Sequence, residues 1–599
     1  MRQKHILAAV LSIFGLSVFA QLNSSVNVEG EYLPLVIETE RINTYPKGYR
    51  FDLPPVSLDY ELSGIVSEFN PELLTMGVTG RQTNWPWIKR KGWIDFKMGS
   101  YLNTRLDAGY YILSDSVNTL LGDLKFNSTS LYRTKNIPET YAEPSRRKLH
   151  NGSVGLSYSR LIDSEGVLEA KVRYGLDYFN YYGTTFPLSG GLSGNGNFSA
   201  PTQTVNRLDG YAGYASSVSP IRGWHAEAGV KYLGYRRLYT PKTSSKGDKE
   251  TLLNAGAGYR FSLSDFSAIA IDASGDFLFF GKKDPGIFVP ALTPRRNYGI
   301  VTLTPAYRYS GRDLSVTAGA DVALSYDAMG AKSDQKFGPV HFAPDVAIAY
   351  RSKAGVGISL SATGGLTPAS LLLKEDFDRY GLPWLLSTTP VYTPVDARLD
   401  LNVGPFAGFA ASVGFRYAVV KNVPLGGWYQ AFLGTYLPGA SGFDAANFLD
   451  PYMQGINLHG LNVGLDLRYA YGNIAEVSFE SSYTPQKGKT GIFNGFDRPR
   501  WLLNASALVH PVRKLAIEVG YEYRGVRNCY FMSSTAEGMR PAAFRLPDIT
   551  DLKAKISYKI LDNLDVYCSG ENLLNRHVDI LPGLQCEGVA ISGGVYWEF

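Results

Sequence analysis

The chain has 599 residues, with 59 Lys+Arg against 54 Asp+Glu and a formal net charge of +5. That near balance, with no basic cluster interleaved with stacking aromatics, excludes a nucleic-acid binder. With 40 Tyr, 30 Phe and 63 Gly the chain is rich in interface-seeking rings, yet no apolar run beyond its first twenty residues is long enough for a transmembrane helix.

Residues 1–20 read as a signal peptide. MRQKH gives a positive start, ILAAVLSIFGLSVFA an apolar core, and Val18-Phe19-Ala20 a small-residue cleavage site. No Cys lies near that site, so lipid anchoring is not expected, and the mature chain is exported. Residues 21–91 follow as an extended segment punctuated by Pro34, Pro46, Pro54 and Pro55, lying in the periplasm or in a lumen.

From about residue 92 to the end, apolar and polar residues alternate. In VLEAKVRYGLDY, Leu168, Val172, Tyr174 and Leu176 fall on one face and Glu169, Lys171, Arg173 and Asp177 on the other. LNVGLDLRYAY (461–471), LAIEVGYEYRG (515–525) and LKAKISYKI (552–560) repeat the pattern. Runs of about nine to twelve residues with period two fit strands crossing a bilayer at a tilt. The connections alternate in length. Short turns such as LIDSEG, FSLSD, YSGRD and HPVRK separate long polar excursions such as GKKDPGIFVPALTPRR and PQKGKTGIFNGFDRP. That parity predicts an all-β fold: a transmembrane antiparallel β-barrel of about 22 strands over 92–599, with short periplasmic turns and long extracellular loops. The apolar face then meets lipid. The charged face lines a wide, hydrated lumen, where Glu518, Glu522 and Arg524 need no buried partners.

Two long loops are rich in aromatic rings. Residues 368–395 carry Phe377, Tyr380, Trp384 and Tyr392; residues 421–456 carry Trp428, Tyr429, Phe432, Phe443 and Phe448. Such loops fold over the mouth, dip into the lumen or meet another protein, and so are candidate ligand or partner contacts. Because a lumen of this width would leak, the loops, 421–456 foremost, are expected to be its main obstruction. Glu375, Asp376 and Asp378 form a carboxylate cluster with two readings, a divalent-cation site or a solvated loop.

No enzyme is expected. The histidines are scattered, HExxH and GxSxG are absent, and no cofactor or resident metal is indicated. The three cysteines are no disulfide framework. Cys529 and Cys586 both fall on the extracellular side, where export permits them to pair, and Cys568 on a strand would be a free thiol.

The C-terminal stretch ENLLNRHVDILPGLQCEGVAISGGVYWEF combines Asn572-Leu573-Leu574-Asn575, Pro582-Gly583 and a strand ending in Trp597 and Phe599. It resembles the last two strands of TonB-dependent outer-membrane receptors, and the predicted strand number extends the resemblance to their 22-stranded barrel. The resemblance implies nutrient uptake or binding at the outer membrane. It also implies a terminal strand, with Trp597 and Phe599, read by the barrel-assembly machinery. The chain departs from the family at its other end: residues 21–91 are too few for the plug domain and hold no plug-like motif, which puts TonB engagement in doubt. Two functions therefore stand side by side. One is a receptor-type transport barrel. The other is a plugless scaffold for an outer-membrane lipoprotein or periplasmic partner.

Overall fold

The computed structural model describes residues 90–599 apart from loop stretches at 133–145, 163–164, 181–201, 218, 220, 240–243, 282–296, 327–337, 378, 380–389, 426–427, 433–444, 449–453, 489–498, 536–537 and 582–583. Side chains are also not described at 423–459, at 528–544 and at a few positions in other short elements. The signal peptide and the Pro-punctuated segment to residue 89 lie outside the described residues.

The wall is a closed antiparallel barrel of 22 strands. Its first half comprises β1 (Gly92–Gly99), β2 (Thr104–Ser114), β3 (Asn118–Thr129), β4 (Leu149–Ile162), β5 (Gly166–Asn180), β6 (Thr202–Ala215), β7 (Gly223–Tyr235), β8 (Lys249–Ser264), β9 (Ser267–Phe280), β10 (Tyr298–Ser310) and β11 (Leu314–Tyr326). The second half comprises β12 (Val340–Arg351), β13 (Val356–Thr367), β14 (Val391–Phe406), β15 (Phe409–Leu425), β16 (Gln454–Tyr471), β17 (Ala475–Tyr483, resumed at Gln486–Gly488), β18 (Trp501–Val512), β19 (Leu515–Arg524), β20 (Ile549–Leu561), β21 (Leu564–Glu571) and β22 (Ala590–Glu598).

Each strand pairs with its sequence neighbour, and β22 pairs with β1 from Trp93↔Glu598 to Gly99↔Ser592. All the turns at one end are short, as at 265–266, 311–313, 407–408, 513–514 and 562–563, while every connection at the other end is long except 100–103. The expected parity therefore holds. The strands run from 8 to 18 residues, so several are longer than the nine to twelve expected. That excess carries them beyond the thickness of a bilayer.

The two faces separate by chemistry. Val172, Tyr174 and Leu176 on β5 are exposed on the outer face, as are Val519 and Tyr521 on β19 and Ile556, Tyr558 and Ile560 on β20. Their neighbours in sequence point inward, and several of the inward charges are paired. Arg173 meets Asp123 at 2.9 Å, and Lys553 lies 3.2 Å from both Glu522 and Asp551. Glu522 also bonds Arg524. For Glu522 and Arg524 the expectation that such charges need no buried partners is corrected here. On a concave wall, side chains from adjacent strands converge, so opposite charges on neighbouring strands meet.

The closing seam uses glycine where rings must lie flat. The Trp93 ring covers Gly109 opposite it in register, and the Tyr567 ring covers Gly594; an added Cβ would stand 2.1 and 2.2 Å from those rings. Tyr567 reaches across the seam to donate to Asp95 at 2.6 Å, and Lys97 pairs with Glu571 at 2.9 Å. Trp597 and Phe599 lie on the outer face, 43% and 40% exposed, with ring centroids 4.8 Å apart.

The NLLN motif has a structural role of its own. Asn572 and Asn575 both adopt positive φ (47° and 51°), a region Asn enters more readily than most residues. The Asn572 side chain, almost fully buried, donates to Arg576 O at 2.8 Å and to Glu587 O at 2.6 Å and accepts from Arg576 N at 3.0 Å. It thereby fixes the exit from β21 against the return into β22. Asn572→Ala leaves Glu587 O and Arg576 N without the Asn572 side chain, leaves Arg576 O only the weak Cys586 thiol donor, and adds left-handed strain. The expected cost is about 2–4 kcal/mol, read as a lower unfolding midpoint in urea with the heat-modifiable gel shift retained.

Candidate functional site

The first aromatic loop, between β13 and β14, turns inward. After Pro368 the sequence ASLLLKEDF forms helix α1 (Leu371–Phe377). Ser370 caps it, its Oγ accepting from Leu373 N at 2.9 Å, as a Ser before a run of good helix formers favours. The first turn is also tied to the wall. Glu250 at the mouth end of β8 accepts from Leu371 N at 2.6 Å and Leu372 N at 3.4 Å, and Tyr298 on β10 donates to Ala369 O at 3.2 Å. Ala369, Ser370, Leu371 and Glu375 are all buried, Leu371 and Glu375 completely. Glu250 and Tyr298 lie on the inward parity of their strands, opposite to exposed Leu253 and Val301, so α1 is docked inside the lumen.

Glu375 anchors the far end of the helix. Arg207 Nη2 lies 3.3 Å and Arg379 Nε 3.6 Å from its carboxylate, and Tyr235 donates a hydrogen bond to it. Asp177 binds the same two arginines, Arg207 Nε at 2.9 Å and Arg379 Nη2 at 3.8 Å. Two carboxylates, two guanidiniums and a phenol thus close on one another across β5, β6, β7 and α1. Neither sequence reading of this carboxylate cluster survives for Glu375: it is neither solvated nor a cation ligand, because arginines occupy its coordination sphere. Asp376 has no described side chain and Asp378 lies outside the described residues.

Beneath α1 the wall opens a cavity of about 440 Å³. Lys125, Asn127, Asn151, Arg173, Lys231 and Asp209 line it from β3 to β7, with Arg207 and Asp177 behind and Leu372 and Arg379 as its roof. The volume falls in the range of about 300–1,000 Å³ typical of small-molecule sites.

The ring residues that singled out these loops fare unevenly. Phe377 ends α1, its side chain undescribed, and Tyr380 and Trp384 lie outside the described residues. Tyr392 belongs to β14 rather than the loop and donates to Phe342 O at 2.6 Å. In the second loop, Trp428–Phe432 (with Tyr429) and Ala445–Phe448 pair as strands. Trp428–Phe432 also runs parallel to Arg527–Thr535, which forms a hairpin with Gly538–Leu546. This four-stranded sheet, separate from the wall, joins the second loop to the loop between β19 and β20. Sequence reasoning missed Glu250, Tyr235, Arg207 and Asp177. Nothing local marks them, since the loop residues they hold lie more than a hundred residues away.

The cysteines sit as follows. Cys568 is exposed on the outward parity of β21, opposite Ile556. Cys586 is buried with its thiol free, Sγ 3.2 Å from Arg576 O, and burial pushes that thiol up from its ordinary pKa. The Cys529 side chain lies outside the described residues. Maleimide labelling of the unreduced, denatured protein is expected to count three thiols; a single labelled thiol located at Cys568 by peptide mapping would instead establish the Cys529–Cys586 bridge. In the folded protein at neutral pH, Cys586 should label slowest of the described pair. Among the described residues no group of three or more His, Cys, Asp or Glu is placed to hold a metal ion.

No family model matches the chain and no curated protein matches its sequence. Solved structures do match. The FrpB iron transporter from Neisseria meningitidis aligns with a TM-score of 0.60 at 11% identity, over 85% of this chain and 81% of its own. The ferric enterobactin receptor (PfeA) from Pseudomonas aeruginosa aligns at 0.61 and 12%, over 85% and 80%. The siderophore receptor PirA from Acinetobacter baumannii gives the same figures, 0.61 and 12% over 85% and 80%. At such identities the likeness is one of fold, and it lies in the barrel: the chain resembles the barrel domain of the TonB-dependent outer-membrane receptors.

Proposed function

We propose that this chain is an outer-membrane barrel of receptor type, exported by its signal peptide, that binds or admits a nutrient solute through its lumen. The observation that carries the reading is the inward docking of residues 369–377 with Arg379, which narrows the mouth and leaves a formed cavity in the wall beneath it. A purely structural cylinder has no use for a buried ion cluster that positions a loop over a cavity. The fold of solute receptors over 85% of the chain supports the same reading. Its outer face meets lipid, and its terminal strand with Trp597 and Phe599 is the segment offered to the assembly machinery.

A second reading, a scaffold subunit of an outer-membrane complex, is favoured by the four-stranded sheet that two loops build apart from the wall. Such a sheet gives a lipoprotein or other partner a platform, and residues 21–91 would reach a periplasmic one. Planar-bilayer recording of the purified chain, with co-purification from gently solubilised membranes, separates the two. Receptor function is expected to show low basal conductance that rises when residues 369–389 are deleted. A stoichiometric protein partner, together with conductance indifferent to that deletion, would establish the scaffold.

A further inference from the structure

Across β2–β7 the inward charges are stacked in depth. Asp107 and Asp123 are nearly buried, with side chains 12% and 7% exposed, whereas their partners Lys125 and Arg173 are half exposed at 50% and 49%. The Lys125–Asp107 separation is a loose 3.8 Å. Lys231 on β7 is exposed and has no carboxylate partner among the described residues. Asp107, Asp123 and Asp177 therefore lie behind their cations, while Asp209, exposed on β6 opposite Lys231 in register, is the one lining acid that shares the front. A solute entering the cavity meets three exposed cations, Lys125, Arg173 and Lys231, against the single exposed carboxylate of Asp209, although the local charges nearly cancel in sum. Arg207 and Arg379 are committed to Asp177 and Glu375 and only frame the space. The one aromatic among the described lining residues, Tyr232, sits on the outward parity of β7, so the described wall of the cavity offers no ring for a sugar or apolar face to stack on. Asn127, Asn151 and Ser153 complete a polar floor.

We propose that this inner-wall cavity beneath α1 is a binding site for a polyanionic solute carrying several oxyanion groups, gripped by Lys125, Arg173 and Lys231. Charge-assisted bonds from three cations on three strands give both strength and orientation, and the cavity's volume suits a compact ligand. The proposal deepens the receptor reading and rests on it for its biological use.

The test is isothermal titration calorimetry of the full chain in detergent, with inorganic pyrophosphate and benzenehexacarboxylate as probes and glucose as the neutral control. Wild type is expected to bind at least one of the two anions and not glucose. The triple variant K125Q/R173Q/K231Q should bind it at least tenfold more weakly, while K559Q, a lumenal cation at the short-turn end, should bind like wild type. Heat-modifiable mobility checks that each variant is folded. Absence of binding of both anions to wild type overturns the site, as does equal binding by the triple variant or an equal loss in K559Q. Binding in detergent is independent of conductance. A barrel that binds but never conducts loses the transport reading and keeps the site; one that conducts but does not bind loses the site alone.

Discussion

Replacing Glu375 with alanine is expected to release the inward loop from the wall. The carboxylate is fully buried, and its loss leaves Arg207 and Arg379 to share Asp177 alone while the Tyr235 hydroxyl loses its acceptor. Breaking a buried pair on one side costs about 3–5 kcal/mol; the lower figure applies here because Arg207 keeps contact with water. About 3 kcal/mol is roughly a hundredfold rise in the undocked population. Trypsin reads that population directly, because Lys374 and Arg379 lie within the loop and cleavage follows the open fraction when reclosing is fast. Cleavage after these residues should be slow in wild type and accelerate about a hundredfold in Glu375→Ala, with basal bilayer conductance rising in parallel. Glu375→Gln retains an acceptor for Tyr235 and should fall between. Unchanged cleavage in Glu375→Ala would mean that Glu250 and the burial of Leu371 hold the loop without the ion cluster.

A second large effect is expected on the outer face. Val519 is 41% exposed there, midway along β19 between Ala507 on β18 and Ala554 on β20. An arginine at this position near the bilayer midplane should cost about 2–4 kcal/mol. Its neighbour Gly520 faces the lumen, where an added Cβ meets only Lys553 Cβ at 4.0 Å. Gly520→Arg therefore has room and water, and its penalty is only repulsion from Lys553, which Glu522 and Asp551 already neutralise. Urea unfolding in bilayers of defined thickness measures both. Equal penalties at 519 and 520 would remove the assignment of faces.

The barrel was legible because its signals are local. Period-two alternation needs only a dozen residues, as in 515–525, and loop parity needs only counting, so the number of strands, their inner and outer faces and the positions of the short turns could be read without any structure. The terminal motif was legible for the same reason: Asn572, Asn575 and the final aromatics act within thirty residues of one another. The site was only half legible. Rings drew attention to the loop at 368–395, but what docks it is the carboxylate of Glu375 and the aliphatic Leu371, held by Arg207, Tyr235 and Glu250 from strands 121 to 168 residues away. Register between non-adjacent hairpins decides which inward charges meet, and sequence period carries no information about it. Register between adjacent strands is equally silent in the sequence, which is why Glu522 was read as needing no buried partner although Lys553 on β20 lies 3.2 Å away.

One feature of the wall bears on how such a molecule comes into being. Of its 22 strand-to-strand junctions, 21 join neighbours in sequence, and a single one, β22 with β1, joins Trp93 to Glu598. Growth can therefore proceed hairpin by hairpin at small entropic expense, while the last junction must close a ring of some five hundred residues. For a fully flexible chain of that length the closure penalty would be roughly 5 kcal/mol, and the hairpins already formed lower it. Until it forms, two raw sheet edges stand in hydrocarbon that can satisfy neither. Membrane residence is thus decided late and all at once. The ladder from Gly99 to Trp93, clasped by Lys97–Glu571 and Tyr567–Asp95, acts as a ratchet tooth: before it engages every intermediate can back out, and afterwards the whole cylinder is committed.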